Sequence, residues 1–351
     1  MRLSPTERSG IWMGRACDSL GVVDSGRVSG LHLALALDGY DVDGRRFVRQ
    51  MPPPEKRRAA YDMVIAPAKS ISLAALGGGP GLSEAVRWAF AGATDTAFNV
   101  VEQLSMKQGR AAKRVPSGAL CAAAFTHERS RYGDPHLHRH FLMINVTRVP
   151  GGGLWALTLE LAMRALGYVE RLFQADLFRR LLQKGVPARL ENSVAQIPLS
   201  RDFCDRFSQG HANIVGVIDK IEKGGEFIAR KRRRPLANIV NDRVRPKKAS
   251  AILDWRGRMT KTDLSEMRSL KIKRWATLED VGDKELVSRV GERLRGNLIR
   301  DHVVACRAAA AVAQEDPRVD PVKAALVAKR LVLPAPVLAK AESAVVSAPF
   351  L

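Results

Sequence analysis

The sequence predicts an α+β fold: a mostly antiparallel central sheet, helices on one of its faces, a metal site on the sheet, and a basic, mainly helical C-terminal segment. Three observations predict it. Two strand-like stretches, 121–128 and 136–148, are separated by one short turn, which favours antiparallel pairing. Two long stretches, 82–113 and 157–184, repeat apolar residues at three- and four-residue spacing, the period of a helix with one buried face. Four of the seven histidines lie close together, at His127, His136, His138 and His140.

The elements follow in order. Residues 1–50 are rich in glycine and small residues and predict helices near 14–20 and 30–37. MPPPEKRR at 51–58 reads as a turn-rich, basic connector. In YDMVIAP, Tyr61, Met63 and Ile65 alternate with Asp62, Val64 and Ala66, the two-residue period of a strand. Ala68–Leu76 starts a helix that GGGPG at 77–81 ends, and 82–113 forms one long helix. CAAAFTHE and HLHRHFLMINVTR are the paired strands, RSRYGDP the turn between them, and GGG at 151–153 a loop. The helix 157–184 and a shorter one over 200–221 complete a core of residues 1–224. After Gly225 the composition shifts to RKRRR and VRPKK. Residues 225–351 are expected to form a basic helical closing segment, poorly ordered after about 316.

Charge narrows the function. With 57 Lys and Arg against 36 Asp and Glu, the formal net charge is +21. Such an excess attracts polyanions, and nucleic acid is the leading partner because neutralised phosphates release counterions. A membrane surface fits less well, since no amphipathic helix with a bulky aromatic face stands out. The apolar run Ile71–Leu76 is far short of the roughly 20 residues that cross a bilayer. MRLSPTERSGIW lacks the apolar core of a signal peptide, so a cytoplasmic location without membrane insertion is expected. Cys17, Cys121, Cys204 and Cys306 form no CxxC pair and read as reduced, mostly buried thiols. GGGPGLSEA at 77–85 lacks the lysine of a phosphate loop, so no nucleotide site or helicase domain is implied.

The histidines carry the chemistry. His138 and His140 are two apart, so on a strand they project from one face. The turn returns His127 alongside them. Three neutral imidazoles make a half-shell for one divalent metal ion and leave positions open to substrate oxygens. His136 shares the face but follows the Asp134–Pro135 turn, and ranks below the other three. Magnesium, manganese, zinc and nickel all remain open as the ion.

At these residues the sequence resembles the TrwC/TraI-type conjugative relaxases of the histidine–hydrophobe–histidine endonuclease superfamily. The matching pattern is His127, Ser130–Arg131, Asp134–Pro135, His138/His140 and Asn145. Asp62, Lys69, Ser70 and Ser72 match the family's acidic strand and its Pro-Lys-Ser turn, with the proline one residue early at Pro67. WMGRACDSLGV at 12–22 matches the Trp-x-Gly segment, and DLFRRLLQKGV at 176–186 and DRFSQGHANI at 205–214 match later ones. The likeness covers roughly 12–250.

The resemblance implies a protein that binds single-stranded DNA at a transfer origin, with other conjugation proteins as further partners. It implies nicking by metal-assisted attack of a tyrosine oxygen on a phosphodiester. Asp62 would orient a histidine or assist deprotonation of the tyrosine. The family's tyrosines precede the Trp-x-Gly segment, yet none of the eleven residues before Trp12 is tyrosine. Of Tyr40, Tyr61, Tyr132 and Tyr168, the helical Tyr168 is the best substitute. Two readings stay open: a nucleophile encoded upstream of Met1, or a relaxase that binds DNA without cutting it. A metal-dependent hydrolytic nuclease is a further rival. Candidate DNA contacts are Lys69, Arg131 and the run Arg230, Lys231, Arg232, Arg233 and Arg234; Trp255 and Trp275 are candidates for stacking on bases.

Overall fold

Alternating side chains turn the strand-like stretches into one four-stranded sheet. The computed structural model describes residues 10–47, 52–53, 56–108, 115–130, 132–149, 151, 153–223, 255–272, 280–295, 297 and 301–332. β1 (Ile11–Met13) and β2 (Ala60–Ile65) are the sheet's edges; a short β3 (Met106–Lys107) lies apart; β4 (Ala122–Arg129) and β5 (Pro135–Ile144) are its centre. The order is β1-β4-β5-β2, with every neighbour antiparallel. Further two-stranded ribbons pair β6 (Thr147–Arg148) with β7 (Leu154–Trp155), β8 (Leu157–Thr158) with β3, and β9 (Arg189–Glu191) with β10 (Val194–Gln196).

The two faces of the sheet differ. Met63, Ala124, Phe141 and Met143 point into the large core, where Phe141 stacks on Phe98 with ring centres 5.1 Å apart. α1 (Gly30–Asp38), capped by the Ser29 hydroxyl, lies on the other face with a smaller core around Trp12, Ala123 and Ile144. α2 (Lys69–Gly77) and α3 (Pro80–Gln103) line the large core, and α4 (Glu160–Gln183) packs on α3. Helices therefore dominate one face, as expected, while α1 covers part of the second.

Beyond α4 run α5 (Arg201–Arg206), α6 (Gln209–Lys223), α7 (Lys261–Ser269), α8 (Asp283–Leu294), α9 (His302–Glu315) and α10 (Pro321–Val332). Trp255, Met267, Leu286 and Ala309 share one hydrophobic cluster with Phe90 and Leu172, so the core continues from residues before 224 to residues after it. Trp255 is 3% exposed and meets Phe207 edge-on; it anchors the core and offers no free ring to a base. Trp275 lies outside the described residues.

Four local expectations change. Residues 14–20 form no helix beyond a 3-10 turn at Asp18–Leu20, because Gly14 takes a φ of +111°, outside the helical region. α3 ends at Gln103, not near 113, as Met106 and Lys107 join a ladder with β8. The stretch 200–221 divides at Phe207 into α5 and α6. Residues 321–332, expected to be poorly ordered, form α10, which packs on α9 and buries Ala324 and Ala328. Among the described residues no helix is long and apolar enough to cross a membrane.

Candidate metal centre

The antiparallel register sets the site. β4 and β5 place His127 directly across from His138, and Phe125 across from His140. His138 and His140 share a face by the two-residue period. The three ring centres form a nearly equilateral triangle with sides of 5.1 to 5.2 Å. One ring nitrogen from each lies within 4.8 Å of the others, the grouping among the described residues that could hold a metal ion.

Neighbours fix the rings. His138 Nδ1 lies 2.8 Å from the His136 carbonyl oxygen. A carbonyl only accepts, so this nitrogen carries the proton and Nε2 keeps its lone pair. His140 Nδ1 lies 3.1 Å from both oxygens of Asp62, which again leaves Nε2 free. Asp62 reaches it because Val64, two residues on along β2, pairs with His140. Burial lowers the pKa of His138, and burial followed by repulsion from His138 and Lys69 lowers that of His136 to about 4. Both are neutral at pH 7, the form that donates to a metal.

A locked turn holds the two strands. The Ser130 hydroxyl accepts from the Tyr132 and Asp134 amides, and the Ser130 amide donates to the Asp134 carbonyl. Gly133 takes a φ of 78° there, in the left-handed region that glycine enters without a steric cost. Asp134, 1% exposed, accepts from the Gln209 amide at 2.8 Å and pairs with Arg258. The turn is thus tied to α6 and to the chain beyond Trp255. In the sequence Asp134 stands out only as part of the turn motif; its burial and its partners depend on residues far along the chain.

The Trp-x-Gly segment has a structural task. Trp12 is 1% exposed in the smaller core. A Cβ on Gly14 would stand 2.3 Å from the Leu120 carbonyl oxygen. Buried Glu102 accepts from the Arg15 and Leu120 amides and clamps this segment to the lead-in of β4. Asn145 is a similar clip: its amide donates to the Arg58 carbonyl at 2.7 Å and accepts from Leu157 N at 3.1 Å.

Asp62 joins the histidines. Lys69 sits at the start of α2 and donates to the Pro135 carbonyl at 2.8 Å, with its pKa lowered chiefly by burial; this placement braces the histidine hairpin. Tyr168 is half-buried on α4, packed against the core on the opposite side of the sheet, and is not brought to the histidines. Arg131 and Arg230–Arg234 lie outside the described residues. His136, ranked last of the four, stacks on His138 with ring centres 4.6 Å apart. The face itself is open beside the cluster: Val64, across from His140, is 50% exposed.

A family model described as TrwC relaxase matches residues 4–268. The multifunctional conjugation protein TraI of Escherichia coli strain K12 is 30% identical over 186 residues, 51% of this chain and 10% of that protein; a second Escherichia coli TraI matches to the same extent. The matched stretch thus spans about a tenth of these curated relatives. Among solved structures, a metal-bound complex of the conjugative relaxase TrwC with oriT DNA superposes with a TM-score of 0.60 at 23% identity, covering 76% of this chain and 90% of that one. TrwC complexed with a 27-mer DNA comprising the recognition hairpin and the cleavage site gives 0.59 at 23% identity, with 75% and 92% covered. At that identity the structures establish the fold. The family model spans most of the chain, and the chain belongs to the TrwC relaxase family.

Proposed function

We propose that this chain is the DNA-handling domain of a conjugative relaxase, binding single-stranded origin DNA across the histidine face with one divalent metal ion held by His127, His138 and His140. One observation carries the reading: three imidazoles converge on an open sheet face, and hydrogen bonds at Nδ1 leave Nε2 free on two of them. When bound, the ion would act as a Lewis acid toward the scissile phosphate. The chain's own residues do the rest. Asp62 orients His140, the His136 carbonyl orients His138, and the Ser130–Asp134 turn holds the hairpin. Three imidazoles favour a transition metal such as zinc, nickel or manganese over magnesium. The basic run Arg230–Arg234 is our proposed track for the DNA backbone.

The test is metal content and single-strand affinity of the His127→Ala/His138→Ala/His140→Ala variant. Loss of the bound ion is expected; unchanged stoichiometry would remove the site. The placement of Tyr168 favours a second reading, in which this polypeptide binds the strand without itself attacking it.

A further inference from the structure

A second concave site lies on the sheet at a distance from the histidines. Its volume is about 440 Å³, within the range of roughly 300–1,000 Å³ of small-ligand sites. Ala60 pairs with Ile144 four residues along from the Val64–His140 pair, which places the cavity about 13 Å from the metal centre at the strand rise. Ala36, Leu37, Phe47 and Ile144 line it from the smaller core, on the histidine-bearing side, and Tyr61 closes it from the β2 edge, its ring packed towards the large core.

Its lining combines three chemistries. Phe47 and Tyr61 supply aromatic rings, Gln108 and Asn145 supply amides, and Lys56, Arg57 and Arg58 supply three consecutive cations. Arg57 is committed to Asp38, with its guanidinium 2.9 Å from the carboxylate. Lys56 and Arg58 are exposed, and the Arg58 guanidinium lies 5.0 Å from the centre of the Tyr61 ring. Gln108 is exposed at the rim and held by a backbone bond from its amide to the Ala156 carbonyl at 2.7 Å. Asn145 fixes the wall through Arg58 and Leu157, as described above.

We propose that this cavity takes one unstacked nucleotide of the single strand that crosses the histidine face. The base would lie against Phe47 and the apolar floor of Ala36, Leu37 and Ile144, since every base has a π-face and aromatic contact is sequence-tolerant. The phosphate would sit on Lys56 and Arg58, and Gln108 would meet the edge of the base. Such a pocket fixes the register of the strand about 13 Å from the metal, so that one phosphate rather than its neighbours reaches the histidines. The inference rests on the single-strand reading of the face.

The test is photocrosslinking with a short oligonucleotide whose bases are all 5-iodouracil, followed by mass spectrometry of the adducts. Adducts on Phe47 are expected. In Lys56→Ala/Arg58→Ala these adducts should be lost, and the log–log salt slope of binding should flatten by roughly 0.7 for each phosphate contact removed. Intact DNA binding with adducts only elsewhere, or an unchanged yield in the double variant, overturns the pocket and leaves the single-strand reading standing. Absence of any single-strand binding by the unaltered chain overturns both.

Discussion

The carboxylate of Asp62 straddles the Nδ1 edge of His140, with both oxygens 3.1 Å from that nitrogen. The carboxylate fixes the tautomer and the orientation of the ring, as such partners do behind metal-bound histidines. Asp62→Ala should therefore weaken metal binding by about 10- to 100-fold while leaving one ion per chain at saturation. A chelator-competition titration reads this directly. Unchanged affinity would show that the carboxylate serves another purpose on that face.

Much of this site is legible in one sequence because it is local. His138 and His140 share a face through strand period alone, and a short turn suffices to bring back His127. Asp62 could be singled out only through resemblance, since its approach to His140 depends on the β2–β5 register across 78 positions. Asp134 is harder still: its partners, Gln209 and Arg258, lie 75 and 124 residues away. The end of α3 is hidden in the sequence for a related reason. Helical periodicity runs past Gln103, but pairing of Met106 with Thr158 redirects the backbone, and tertiary pairing overrides local propensity. Trp255 lies in a basic stretch yet is buried, because its packing partner Phe207 is remote in sequence.

Gly14 offers a test of the clamp behind β4. Its φ of +111° disfavours any side chain, and a Cβ would meet the Leu120 carbonyl oxygen at 2.3 Å. Backbone cannot step aside as a flexible side chain can. Gly14→Ala should lower stability by about 1–3 kcal/mol, read as a drop in the urea midpoint with an unchanged slope. A neutral result would mean that the Gly14–Leu120 approach is looser than the structure has it.

His302 predicts a pH dependence remote from the metal centre. Burial at the start of α9, with Lys329 as a second cause, lowers its pKa from 6.5 to about 4. Between those values the unfolded chain binds a proton that the folded chain does not, so stability falls as pH falls from 6.5 towards 4. The full loss is about 3 kcal/mol. His302→Gln removes this group from the balance. The stability of the unaltered chain should decline relative to that of the variant across this window, and the difference should stay constant above about pH 7. Parallel curves throughout would show that His302 titrates normally in the folded state.

The tyrosines yield the last prediction. In-line attack on a phosphodiester needs an oxygen about 3–3.5 Å from phosphorus, aligned with the leaving group. Tyr61 occupies the strand position next to Asp62 and so faces the other side of the sheet, where its hydroxyl donates to the Leu157 carbonyl at 3.3 Å. Tyr40 lies in the turn after α1, its ring beneath Arg46. Tyr132 sits on the hairpin turn, its ring so close to Gly210 that a Cβ there would come within 3.1 Å of it. Tyr168 packs against the helical core. The 351-residue polypeptide should accordingly bind a labelled single-stranded oligonucleotide in the presence of manganese without forming a band that survives a denaturing gel. Tyr168→Phe should leave both binding and the gel pattern unchanged. A denaturation-resistant band that vanishes in Tyr168→Phe would restore the helix tyrosine as nucleophile and require α4 to rearrange. Cleaved DNA without attached protein would instead point to water as the attacking group, activated at the histidine face.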